Sequence, residues 1–212
     1  VTSLADAMEG GERVDVNFVE RLMTSCENHL SLVASPALVE FAHDVRADVF
    51  DAALDALRAI APFIILDLPH GWPDWKKHVL LSAEEVVLVA EPDLANLRNG
   101  KNLMDYLLSH RPNDLQPRLI LNRFGLPKRP EISQVDFSKA LGMKPAAVIA
   151  HDARLFGTAA NHGQLVIDQE GAGRITEQLR QLACTLAGRA DVQVTRFSAF
   201  APWLGRLRNA FG

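Results

Sequence analysis

Residues 85–123 run EVVLVAEPDLANLRNGKNLMDYLLSHRPNDLQPRLILNR, and the reading of this stretch decides the fold. It opens with a nearly continuous apolar run, EVVLVAE (85–91). It then passes directly into a segment in which Leu94, Leu97, Leu103, Leu107 and Leu108 fall near one helical face. Pro112 marks the end of that helical pattern, and a second apolar run, RLILNR (118–123), follows. A short run that is apolar throughout predicts a strand buried on both faces, which requires helices on each side of a parallel sheet. Strand, crossover helix and strand then form a right-handed βαβ unit.

The same alternation extends in both directions. LSLVAS (30–35), FIILDL (63–68) and AAVIAHD (146–152) predict further strands. Between the first two, Phe50, Ala53, Leu54, Leu57, Ile60 and Ala61 recur at three- and four-residue steps, the spacing of an amphipathic crossover helix. GAGRITEQLRQLACTLAG (171–188) predicts another helix, with Ile175, Leu179, Leu182 and Leu186 as its apolar positions. The expected class is α/β, a mostly parallel sheet flanked by helices, in one domain over residues 1–190. No internal repeat or low-complexity tract interrupts it.

With 212 residues, 48% hydrophobic and 23% charged, the chain can bury one sizeable core. Its net charge of −4 argues against a protein whose main task is wrapping nucleic acid, which needs a clustered excess of Lys and Arg. Cys26 and Cys184 stand far apart without metal-type spacing and are expected to be reduced thiols. No apolar run approaches the roughly 18 residues of a membrane-spanning helix, and the N-terminus lacks a signal-peptide pattern, so a cytoplasmic location is expected. The first residue is Val1 rather than Met, which leads to the expectation that an upstream segment has been removed.

The most apolar predicted strand ends abruptly in an acid, in APFIILDLPHGWPDW (61–75). Ligands of parallel α/β sheets bind beyond the carboxyl ends of the strands, where Asp67 is expected. A carboxylate there is suited to hold a magnesium ion through water, while a turn with Pro69 and Gly71 lets a glycine amide approach a terminal phosphate. Capping of a turn or of the next helix is the alternative role for Asp67. A glycine-rich phosphate loop ending in Lys and Ser or Thr is missing from these 212 residues. RNGKN (98–102) sits inside a helical pattern without the upstream glycine or the hydroxyl, and EGGER (9–13) carries no lysine. The histidines, His70, His78, His110, His151 and His162 among them, show no metal-ligand spacing. There is also no nucleophile elbow.

Several stretches taken together resemble one family. ILDLPHGWPDW (65–75), EPDLANLRNGKNLMDYL (91–107), RPNDLQPRLILNRFGLPKRPEIS (111–133), DFSKALG (136–142) and LFGTAANHGQLV (155–166) are similar to the CpaE/TadZ pilus-assembly proteins, a branch of the MinD/ParA ATPases. The likeness runs from about residue 3 to residue 190. It implies a SIMIBI-type P-loop NTPase fold that is N-terminally truncated, because the family's phosphate loop and first switch aspartate precede the part that resembles this chain. A central strand would then be lacking, which leaves open edges. Rearrangement, a segment from another copy or upstream residues would have to close the sheet.

The resemblance also implies roles for individual residues. Asp67 takes the metal-proximal place in the catalytic switch, with Pro69 and Gly71 shaping the turn that senses the terminal phosphate. Asn122 and Arg123 match the position that contacts the adenine base, where an amide offers both a donor and an acceptor. A turn residue ending the strand is the other reading of Asn122. Asp152 matches the acid of an IPxD-type segment, although Ala150 stands where the family has proline. The implied cofactors are ATP and Mg, bound by the full-length family. The implied partners are pilus and secretion-machinery proteins and a second copy in a homodimer. The implied function is Flp/Tad pilus assembly and localisation, cytoplasmic and polar or peripheral at the inner face of the bacterial membrane. A non-hydrolysing scaffold that positions secretion-machinery partners is the alternative.

The C-terminal TRFSAFAPWLGRLRNAFG (195–212) departs in composition from what precedes it, with three arginines and no acid. Pro202 fits a first helical turn, after which Trp203, Leu204, Leu207 and Phe211 share one face while Arg206 and Arg208 lie towards the other. Such a tail, residues 191–212, suits weak membrane association through 197–211, docking on a partner, or packing back on its own domain.

Overall fold

The structure, a computed structural model, describes residues 13–27, 29–34, 47–68 and 71–188. The C-terminal amphipathic pattern, EGGER up to residue 12, Pro69 and His70 lie outside the described residues. The chain forms two compact units, one of residues up to Val86 together with Leu107–Asp114, the other of Val87–Tyr106 together with residues from Leu115 onward.

In the first unit, helix α1 (Val16–Leu22) starts at Asp15, whose carboxylate accepts from the Phe18 N–H at 2.9 Å. That cap satisfies one of the donors a helix start leaves open. Phe18, Val19 and Leu22 of α1 are buried with Ala53 and Ala56 of helix α2 (Ala47–Ile60). The three- and four-residue spacing in α2 thus does what it predicts. Helix α3 (Asp74–Ser82) follows, and its Trp75 ring lies 5.1 Å from the Phe50 ring of α2. Arg111 ties off α3 by donating to the carbonyls of Leu80 and Ala83, both at 2.7 Å.

Two strand expectations are corrected in this unit. Strand β1 (Met23–Glu27) pairs antiparallel with β2 (Leu30–Val33) in a hairpin, so the 30–35 run is a hairpin arm and not a parallel strand. His29, at φ 69°, stands in the connection. FIILDL (63–68) forms no strand, and among the described residues no ladder pairs with it. Phe63 is 63% exposed and Ile65 93% exposed. Apolar extended backbone becomes a strand only where a neighbour supplies the partners for its N–H and C=O groups.

The second unit contains the predicted parallel sheet. Strands β3 (Val87–Ala90), β4 (Arg118–Phe124) and β5 (Pro145–Ala150) run parallel in the order β3-β4-β5. Leu119 and Leu121 of β4 are fully buried. They pack with Met104 of helix α4 (Leu94–His110) and with Phe137 and Leu141 of helix α5 (Gln134–Leu141). Gly100 of the RNGKN stretch is where α4 comes closest to the sheet: a Cβ there would meet a Leu88 methyl at 3.2 Å. Its neighbour Lys101 is exposed and pairs with Asp105 at 2.6 Å, so this stretch combines a packing glycine with a solvated face. Helix α6 (Ala153–His162) follows β5, and helix α7 (Gly173–Leu186) returns to it, with Gln178 donating to the Val148 carbonyl at 2.9 Å.

Candidate functional site

The carboxyl edge of the β3-β4-β5 sheet holds Asn122, Arg123 and Asp152 together. Leu121 of β4 pairs with Val148 of β5, and the next pair is Phe124 with Ala150. Two residues of β4, Asn122 and Arg123, therefore oppose the single Ile149, which is a β-bulge. Bulges re-aim side chains at sheet edges, and this one falls on the two residues that the sequence singles out. Arg123 adopts φ 51°, in the left-handed region that a side chain makes costly.

Three contacts meet at Arg123. Its N–H donates to its neighbour's side-chain oxygen, Asn122 Oδ1, at 2.9 Å. Its Nη1 donates to Glu91 Oε1 at 3.0 Å. Its carbonyl accepts from Arg129 Nη2 at 3.4 Å. Because a backbone N–H can only donate, the atom facing it must be the Asn122 carbonyl oxygen, so the amide NH2 points the other way. No described residue accepts from that NH2. Asn122 thus presents a donor near the carboxyl edge, inside β4 rather than as a turn residue that ends it.

Glu91, just beyond β3, takes Arg123 on one carboxylate oxygen and Arg129 Nη1 on the other. Arg129 also reaches Glu131 at 3.4 Å. Glu131 in turn accepts from the N–H groups of Gly125 and Leu126 at 2.9 Å each. Burial alone would raise the Glu131 carboxyl, but those two backbone bonds and Arg129 outweigh it and hold the group below its usual range. The Arg129 guanidinium is held above its ordinary value mainly by its bond to Glu91. The Arg129 Nε is buried without a hydrogen-bond partner. Asp93 accepts from the Asn96 N–H at 2.8 Å, which starts α4 and, with the Asn96 amide bonds, lowers the Asp93 carboxyl.

Asp152 lies beyond β5 and accepts from the Leu155 N–H at 2.8 Å, so it is the N-cap of α6. The adjacent His151 N–H donates to the Phe124 carbonyl at 2.8 Å and joins the ends of β4 and β5. Asp67 lies in the first unit, exposed, on the 63–68 segment. Gly71 has φ 114°, a backbone conformation that favours glycine. Sequence reasoning missed Glu91, Arg129 and Glu131. AEPDLAN and PKRPEIS contain them, but their signal is a pairing of charges across roughly 40 residues of chain, which no local pattern reveals.

A cleft of about 540 Å³ lies at the opposite, amino edge of the same sheet, lined by Pro117, Arg118, Met143, Lys144 and Thr185 among others. It is remote from the edge where parallel sheets take ligands. No described helix is long and apolar enough to cross a membrane. Among the described residues no three His, Cys, Asp or Glu side chains come together as a metal cluster.

Solved structures share this architecture. The chain is similar to a ParA family ATPase from Chlorobium tepidum TLS, with a TM-score of 0.73 at 20% identity, over 86% of this chain and 75% of the other. It is similar to the MinD cell division protein of Aquifex aeolicus, with a TM-score of 0.67 at 17% identity, over 90% and 76% of the two chains. It is also similar to the septum site-determining protein MinD complexed with Mg-ADP from Pyrococcus horikoshii OT3, with a TM-score of 0.65 at 20% identity, over 91% and 77%. The fold is that of the MinD/ParA ATPases. No protein-family model and no curated protein matches the sequence.

Each unit by itself carries chemistry that one part of a Mg-nucleotide uses: in the second, the Asn122 amide NH2 suits an acceptor on a purine edge, and in the first, an exposed carboxylate such as Asp67 suits a magnesium ion that keeps most of its waters. The triphosphate has no cradle in this sequence, so no hydrolytic step is assigned to these residues.

Proposed function

We propose that this chain supplies the base-facing and metal-proximal parts of a MinD/ParA-type ATPase that serves Flp/Tad pilus assembly. The observation that carries the reading is the bulged Asn122–Arg123 step at the carboxyl edge of a parallel sheet, with the Asn122 NH2 unpartnered, in a fold shared with a MinD complexed with Mg-ADP. In this reading Asn122 and Arg123 contact the adenine base and Asp152 walls the same pocket. Asp67 lies near the magnesium ion, and Pro69 and Gly71 shape the turn towards the phosphate. A homodimer bound to pilus or secretion-machinery proteins at the inner face of the membrane is the working form. A solved MinC:MinD complex supports the idea that this fold docks protein partners.

Titration of the chain with Mg-ADP, observed through the ligand's NMR signals, tests the reading. With no phosphate loop in the sequence, a weak Kd on the order of 1 mM is expected. Asn122→Ala should weaken, without abolishing, the saturation transfer to the adenine protons, and Asp67→Ala should remove the dependence on magnesium. Equal signals for the unsubstituted chain and the Asn122→Ala chain would overturn it.

A second reading is a scaffold that keeps the fold and its protein contacts without turnover. Binding of a secretion-machinery protein that is indifferent to added nucleotide would select it.

A further inference from the structure

We propose that Arg129 is a positioning residue for the Asn122–Arg123 step, an inference that rests on the nucleotide reading above. Asn122 presents its NH2 while its oxygen accepts from the Arg123 N–H, and Arg123 itself takes the left-handed conformation. A β-bulge and a disfavoured φ do not persist unless the surroundings over-determine them. The surroundings here converge on Arg129. One of its nitrogens, Nη2, holds the Arg123 carbonyl at 3.4 Å, and the other, Nη1, holds Glu91. Glu91 in turn holds the Arg123 guanidinium at 3.0 Å.

The same guanidinium reaches Glu131, which closes the 125–131 turn on the N–H groups of Gly125 and Leu126. A single side chain therefore couples the turn after β4, the acid after β3 and the strained peptide between them. The exposures agree with this division of labour. The Arg123 side chain is 63% exposed even while paired with Glu91, whereas Arg129 is 23% exposed and Glu131 15% exposed. Lysine has the charge but not the planar fork, so it can hold one of these acceptors and not all of them.

A double-mutant cycle between Arg129→Gln and Asn122→Ala, read as the Kd for Mg-ADP by ligand-observed NMR on this chain, tests the proposal. If Arg129 acts by positioning, Arg129→Gln weakens binding about tenfold in the unsubstituted background and by less than about twofold once Asn122 is Ala. Glu91→Gln, which leaves the Glu131 turn intact, should show the same pattern with a loss of about threefold, and Arg129→Lys should recover part of the affinity. Equal losses in both backgrounds, or no loss from either Arg129→Gln or Glu91→Gln, overturn the proposal while leaving the nucleotide reading standing. Failure of the unsubstituted chain to bind Mg-ADP sinks that reading and this inference with it. Should Arg129→Gln not fold, as judged by its melting curve, the Glu91→Gln cycle decides alone.

Discussion

Strand β4 and the 63–68 segment are close relatives as sequences and opposites as structures. RLILNR and FIILDL are both apolar runs that end in a polar residue. In β4, Leu119 and Leu121 are fully buried between a strand on each side and helices on the faces. In the other segment Ile65 is 93% exposed and no described strand forms a ladder with it. The difference shows that an apolar run states a demand for burial and does not state whether a neighbour meets it. It also bears on function, because the bulge that aims Asn122 exists only where β4 has β5 to be measured against.

Breaking the comparison at its strong end gives the largest effect. Leu121→Ala should cost roughly 2–5 kcal/mol, through lost burial and the cavity left in a core that cannot collapse onto it. Chemical denaturation followed by circular dichroism checks this, and a loss under about 1 kcal/mol would mean that β4 is less enclosed than it looks.

Lys76 gives an intermediate effect within the first unit. It is 4% exposed on α3. Burial disfavours the charged form and lowers its pKa from the ordinary 10.5. The unfolded chain then binds the proton more tightly than the folded one. The charged group therefore costs stability in full at neutral pH, and stability should rise as pH climbs through the folded-state value towards 10.5. Lys76→Met should raise stability by about 1 kcal/mol at neutral pH and flatten that rise. A melting temperature unchanged by the substitution across this range would show that the ammonium is solvated or paired.

The weak end of the comparison should barely respond. Ile65→Ser removes a side chain that is already in solvent and should change stability by less than about 0.5 kcal/mol. A much larger loss would reveal that the 63–68 segment is covered in solution, and would bring it back towards the strand expected from its composition.

Much of the architecture was legible because it rests on local period. The αR spacing of Ala53, Leu54 and Leu57 and the leucines of α4 led to helices over Ala47–Ile60 and Leu94–His110. The unbroken apolar runs led to three parallel strands at Val87–Ala90, Arg118–Phe124 and Pro145–Ala150. The hairpin at Met23–Val33 was not legible, since strand direction depends on which partner the chain turns back to meet. At the candidate site, Asn122, Arg123 and Asp152 were legible as residues at strand ends. The network of Glu91, Arg129 and Glu131 was not, because its members lie far apart in sequence and meet only once β3 and β4 are paired.

By itself, then, the amino-acid order determined which segments are helical, which are extended and which polar residues terminate the strands, because backbone propensity and side-chain period act over a few residues. Tertiary structure alone decided which apolar segment acquires neighbours, where β4 slips by one residue against β5, and that one arginine spans two acids and a strained carbonyl. Those outcomes depend on contacts between segments distant along the chain, and their free energies are collected only when the sheet closes.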